Sequence, residues 1–203
     1  MLTLRRRLKR LNGLTAIELL TTIALIAILM AIGVPSLTDW VRSNKVMAAA
    51  NTLKNGIRSA QSDALTKSQP IVFILTNTKL AKDSKNFTAN TNGKYWASVT
   101  IPGLMAGETA AMLNSGNLND VADGVTITGP ASICFNSLGR LMSNSSPGPT
   151  GAACSLPTKT AEIYDIEMTG AKRRLRVTVS IAGQVRMCDR DKDISTHADG
   201  CPS

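Results

Sequence analysis

The residues of this 203-residue chain that could do chemistry are few. The one histidine, His197, sits in a polar tail; no Gly-x-Ser-x-Gly nucleophile turn and no glycine-rich phosphate loop occur. The sequence therefore predicts no enzyme, no cofactor and no metal centre. Cys134, Cys154, Cys188 and Cys201 contain no Cys-x-x-Cys pair, which disfavours zinc and thioredoxin-like redox chemistry. In an exported domain they would form disulfides. Three connectivities can be drawn, and the sequence selects none; Cys134–Cys154 with Cys188–Cys201 is favoured because each closes a local loop, at a gain of ~3 kcal/mol. Asp189, Asp191 and Asp193 begin like an EF-hand calcium loop. Ile194 then stands where that loop needs Gly and Gly200 where it needs Glu, so the segment reads as a solvated, disulfide-closed tail. Lys172, Arg173, Arg174, Arg176 and Arg186 form a basic run with no acid from 172 to 186. Such a run reads either as a charged strand edge that resists aggregation or as a phosphate-contacting patch.

These groups hang on two kinds of element. From Leu19 to Thr38 no side chain is charged, and twenty residues suffice to cross ~30 Å of hydrocarbon as a helix. Arg5, Arg6, Arg7, Lys9 and Arg10 precede it, so the N-terminus is expected in the cytoplasm and the remainder outside. These five make up more than half of the formal charge of +9, which makes the whole-chain charge a poor guide to partners. Glu18 stands at the edge of the apolar run, where a carboxylate is costly and usually functional. Were an amine freed nearby, the cheapest arrangement in lipid would pair one subunit's amine with a neighbour's Glu18.

Helical spacing continues through Leu37, Val41, Val46, Leu53, Ile57, Ala60 and Ala64 to about Lys67, giving an element of roughly 80 Å. Gly33 and Pro35 predict a kink or meltable segment, and Ser68-Gln69-Pro70 a stop. Strands are predicted at 71–75, 95–101, 125–128, 132–135, 162–168 and 175–181, with surface loops at 76–94 and 103–124. Only seven aromatic residues are present, too few for a base-stacking platform.

The basic leader ending in Gly13, followed by Leu14-Thr15-Ala16-Ile17-Glu18 and the apolar run, resembles the class III signal of type IV pilins and pseudopilins. Ile133 to Arg140, Lys172 to Ser180, Gly183 to Asp189, Arg58 to Ala64 and Gln69-Pro70-Ile71 are similar to the GspH/FimT family of minor pilins and pseudopilins. The resemblance implies an α+β, pilin-like fold. A long helix, half membrane-spanning and half amphipathic, would pack on an antiparallel β head of two small sheets. Its regions would be a cleaved leader (1–13), the transmembrane half (14–38), the amphipathic half (39–69) and the head with its closed tail (70–203). A prepilin peptidase would cut between Gly13 and Leu14 and methylate the new amine, and Glu18 would serve assembly. The implied location is the bacterial inner membrane, single-pass with the head in the periplasm, from which the chain is extracted into a pilus or pseudopilus among other major and minor pilins or pseudopilins. The function implied is that of a minor type IV pilin at assembly or the pilus tip, or alternatively of a GspH-like pseudopilin of type II secretion. Some family members bind double-stranded DNA in natural transformation through Gly-Arg-x-Arg, which reads Gly183-Gln184-Val185-Arg186 here. Duplex DNA is thus the further partner implied for Lys172, Arg173, Arg174, Arg176 and Arg186.

Overall fold

Thr15, Ala16, Ile17 and Glu18 have the spacing of a capping box, and at this point the helix begins. In the computed structural model, which describes residues 15–81, 84, 87–103, 107–118, 120 and 123–202, helix α1 runs Ala16–Lys67. The Glu18 amide lies 3.4 Å from Thr15 Oγ1. The chain divides into two units, Met1–Thr38 and Asp39–Ser203. In the first, the large apolar side chains from Ile17 to Leu37 are exposed, over a window with mean hydropathy 2.4 that is long and apolar enough to cross a membrane. The helix is uninterrupted at Gly33 and Pro35, where the sequence predicts a kink or meltable segment: a proline removes only one backbone donor.

In the second unit the helix is amphipathic. Val46, Ala49, Ala50, Leu53, Ile57, Ala60 and Ala64 recur every three to four residues and are all buried. The helix ends in a Schellman arrangement: Ser68 takes a left-handed φ of 51°, its amide bonds the Leu65 carbonyl, and the Gln69 amide bonds the Ala64 carbonyl.

Two five-stranded sheets meet that stripe. The first holds β1 (Ile71–Thr76), β2 (Tyr95–Thr100), β3 (Met112–Asn117), β5 (Ser132–Phe135) and β6 (Leu141–Met142), in the order β3-β2-β1-β5-β6 and antiparallel throughout. The second holds β4 (Thr126–Thr128), β7 (Ala161–Glu167), β8 (Leu175–Ser180), β9 (Val185–Asp193) and β10 (Gly200–Cys201), in the order β10-β9-β8-β7-β4. It is antiparallel except for β9 and β10, which run parallel. Ile71, Phe73 and Leu75 of β1 join Tyr164, Ile166, Leu175, Val177 and Val179 in one core with the helix stripe. The clean alternation of β8, apolar inward and polar outward, is what a sheet covered on one face requires.

β1 is buried along its whole length, because its second face carries another apolar cluster. Val72, Ile74, Val99 and Cys134 there meet Phe87 and Ala152. This corrects the sequence reading of 76–94 as surface loop: Phe87 is 3% exposed, and Thr88 bridges to Thr150. β3 likewise lies within a stretch predicted as loop. Gly116 opposite Trp96 explains it, since a Cβ there would overlap the indole ring, which stacks on Phe73 with centroids 5.8 Å apart.

Candidate functional site

Gly13 and Leu14, the expected processing residues, lie outside the described residues. Glu18 sits in the first turn of α1 and is exposed. There a carboxylate is favoured by the helix dipole, so Glu18 has a local role in starting the helix beside any role in assembly. Its carboxylate meets no donor among the described residues.

Cys134 is joined to Cys154, with Cα atoms 5.7 Å apart, and Cys188 to Cys201, at 5.0 Å. The first bond ties β5 to the segment covering the second face of the first sheet. The second holds β10 beside β9. The tail read as solvated is therefore built into the sheet. Asp189 is 4% exposed, accepts from Arg173 Nε at 3.1 Å, and is 3.6 Å from Lys192 Nζ. Asp193 accepts from the Ser195 amide at 2.7 Å; hydrogen bonding from the Ser195 side chain, and then from this amide, holds its carboxyl below the ordinary value.

The basic run is dispersed by the fold. Lys172 reaches Asp39 on α1 at 3.1 Å. Arg173 pairs with Asp189 and Asp199, Arg174 with Asp191, and Arg176 binds both oxygens of Asp165 from the facing position on β7, at 2.7 and 3.1 Å. Arg190 adds longer contacts to Asp165 and Glu167, both at 3.5 Å. Hydrogen bonding to Arg174 holds the Asp191 carboxyl below its ordinary value, and that to Lys192 does the same for Asp199. Four of the five cations expected to meet phosphate thus engage carboxylates of the same chain. Arg186 is exposed and has no carboxylate partner among the described residues.

Gly183, the one glycine of the Gly-Gln-Val-Arg segment, has a structural reason to be there. It closes the β8–β9 turn with a φ of 88°, and its amide bonds the Ser180 carbonyl at 2.8 Å. A Cβ would overlap the Gly139 carbonyl oxygen, to which Gln61 of α1 donates at 2.9 Å. Sequence reasoning passed over Lys54 and Arg58, which stand one helical turn apart on α1 and face the same region as Arg186. Their spacing was visible, but nothing in the sequence brings β9 beside them. Among the described residues, two further polar atoms in the core lack partners: the Trp96 indole nitrogen and the Tyr164 hydroxyl, whose pKa burial pushes far upward.

The arrangement offers anchoring, bracing and charge pairing. No family model and no curated protein matches the chain. Among solved structures it is similar to the type IV minor pilin FimU of Pseudomonas aeruginosa, at 19% identity over 71% of this chain and 88% of that one, with a TM-score of 0.45. In a second crystal form of FimU the identity is 18%, over 70% and 90%, at 0.42. It is also similar to the minor pseudopilin EpsH from the Type 2 Secretion System of Vibrio cholerae, at 11% identity over 72% and 97%, with a TM-score of 0.43.

Proposed function

We propose that this chain is a minor pilin or minor pseudopilin, a membrane-anchored subunit that joins a filament through its N-terminal helix. The observation that carries this reading is the make-up of α1. Its first half is apolar, exposed and headed by Glu18, whereas its second half is covered by the chain's own sheets. An apolar segment of this size needs a bilayer or neighbouring helices to cover it. Within that reading the prepilin peptidase frees the Leu14 amine, the N-terminus starts in the cytoplasm with the head in the periplasm, and Glu18 meets the amine of an adjacent subunit.

Of the two kinds of filament we favour the type IV pilus, because two disulfides brace a head that would work outside the cell. The GspH-like pseudopilin is the alternative. Capture of duplex DNA is the lesser part of the proposal, since the pairing of Lys172, Arg173, Arg174 and Arg176 leaves Arg186 as the main cation it could draw on. Sheared filaments from the native cells, probed with antibody to the head, test the reading. They should contain the wild-type chain and be depleted of Glu18→Ala. Absence of the wild type from pili and pseudopili alike, or equal incorporation of the variant, would overturn it.

A further inference from the structure

A cleft of about 380 Å³ opens between α1 and the C-terminal segment, and three cations line it: Lys54 and Arg58 from the helix and Arg186 from β9. None has a carboxylate partner among the described residues. Arg58 donates Nη2 to the Val185 carbonyl at 3.0 Å, which fixes one edge of its guanidinium and leaves further N–H donors unused. The remaining wall is largely apolar, with Val185, Met187 and Ile194, the last 51% exposed. The cations nearby on the same sheet and in the turn before β8, Arg173, Arg174, Arg176, Arg190 and Lys192, are all in ion pairs. Three cations without a carboxylate partner among the described residues therefore stand together in a concave place that also offers apolar contact.

We propose that this cleft receives an acidic segment of a partner protein: carboxylates on Arg58, Arg186 and Lys54, and an apolar side chain against Met187 and Ile194. A guanidinium binds a carboxylate through two parallel bonds, and a partly enclosed site strengthens them. Charge around the cleft favours a short acidic peptide over a nucleic acid. Asp199 stands in the lining, and Asp191 and Asp193 lie on the same strand as Arg186, so a polyanion running on past the cleft meets carboxylates. A peptide with two or three acids ends inside it. The far wall depends on the Cys188–Cys201 bond, because Cys188 and Gly200 both line the cleft.

The inference stands apart from the filament reading, since Glu18→Ala tests that reading and leaves the cleft untouched. The test uses the full chain in lipid nanodiscs and a fluorescent, end-blocked Glu-Glu-Leu-Glu peptide, followed by anisotropy at low salt, with a Gln-for-Glu peptide and a short DNA duplex as competitors. Saturable binding is expected, weakened roughly tenfold or more by Arg186→Glu and further by adding Lys54→Glu, as loss of charge-assisted contacts demands. Lys172→Glu should have little effect. Arg186 is exposed and in no ion pair among the described residues, so its reversal should leave the circular dichroism and both disulfides unchanged; Arg186→Gln gives a milder second variant. Equal binding of the Gln peptide, indifference to both Arg186 variants, or tighter binding of the duplex at matched charge would each overturn the proposal.

Discussion

The two halves of α1 are built from similar residue types and meet opposite fates. From Ile17 to Leu37 the apolar side chains go all the way round the helix and are left exposed, while from Val46 to Ala64 they form one stripe covered by two sheets. What differs is the other face: Ser43, Lys54, Arg58 and Asp63 keep part of the second half polar, whereas the first has no charge from Leu19 to Thr38. A stripe can be satisfied by one partner surface within the chain, but a helix apolar all round must be surrounded. The second half therefore serves folding, and the first is kept for the bilayer and, in our reading, for other subunits.

Substitutions can break that contrast. Leu53→Ala removes a fully buried side chain from the stripe and should destabilise the head by ~2–5 kcal/mol, whereas Ile26→Ala in the exposed half should shift it by less than about 0.5 kcal/mol. Thermal or urea unfolding of the full chain in detergent checks both, and equal effects would erase the distinction. Replacing Cys188 and Cys201 together by Ser should cost ~2–4 kcal/mol and free β10, read as faster proteolysis after Asp193. Acid provides a gentler probe. Asp191 and Asp199 hold their protons more weakly in the folded head than the ordinary 3.8, so their contribution is complete above that value and is lost as pH falls through the lower folded values. Melting temperature should hold down to about pH 5 and drop below about pH 4. Glu162, whose pKa burial raises, acts with the opposite sign just above 4.5. Smallest is Ser68→Gly at the end of α1, where a left-handed residue without a Cβ should add about 1 kcal/mol.

Strong local signals match the structure at the helix end and at five strands, whereas Gly33 and Pro35, a local signal for a break, leave α1 uninterrupted. Pro70 and the polar Ser68-Gln69 end α1 at Lys67, and the runs at β1, β2, β5, β7 and β8 are apolar or alternate. β3 escaped notice because Met-Leu-Asn-Ser-Gly-Asn has no β-branched residue and exists through pairing with β2 and room for Trp96. Most of β9 was hidden in the same way: Cys-Asp-Arg-Asp-Lys-Asp reads as solvent-facing, yet Asp189 and Asp191 answer Arg173 and Arg174 in the turn before β8. The basic run illustrates the cause. It holds no acid from 172 to 186, but β7, β9, the segment just before β10 and the helix bring in Asp165, Asp189, Asp191, Asp199 and Asp39 from outside the run. Charge along a sequence and charge on a surface are different quantities.

The account rests most heavily on the first half of α1 being a retained anchor, released from its leader at one bond. Intact-mass and N-terminal peptide mass spectrometry of the protein isolated from native cell membranes addresses this directly. The account predicts a chain beginning at Leu14 with a methylated amine and the entire segment from Leu19 to Thr38 still attached. A chain that keeps Met1, or one cut beyond Thr38, would contradict it.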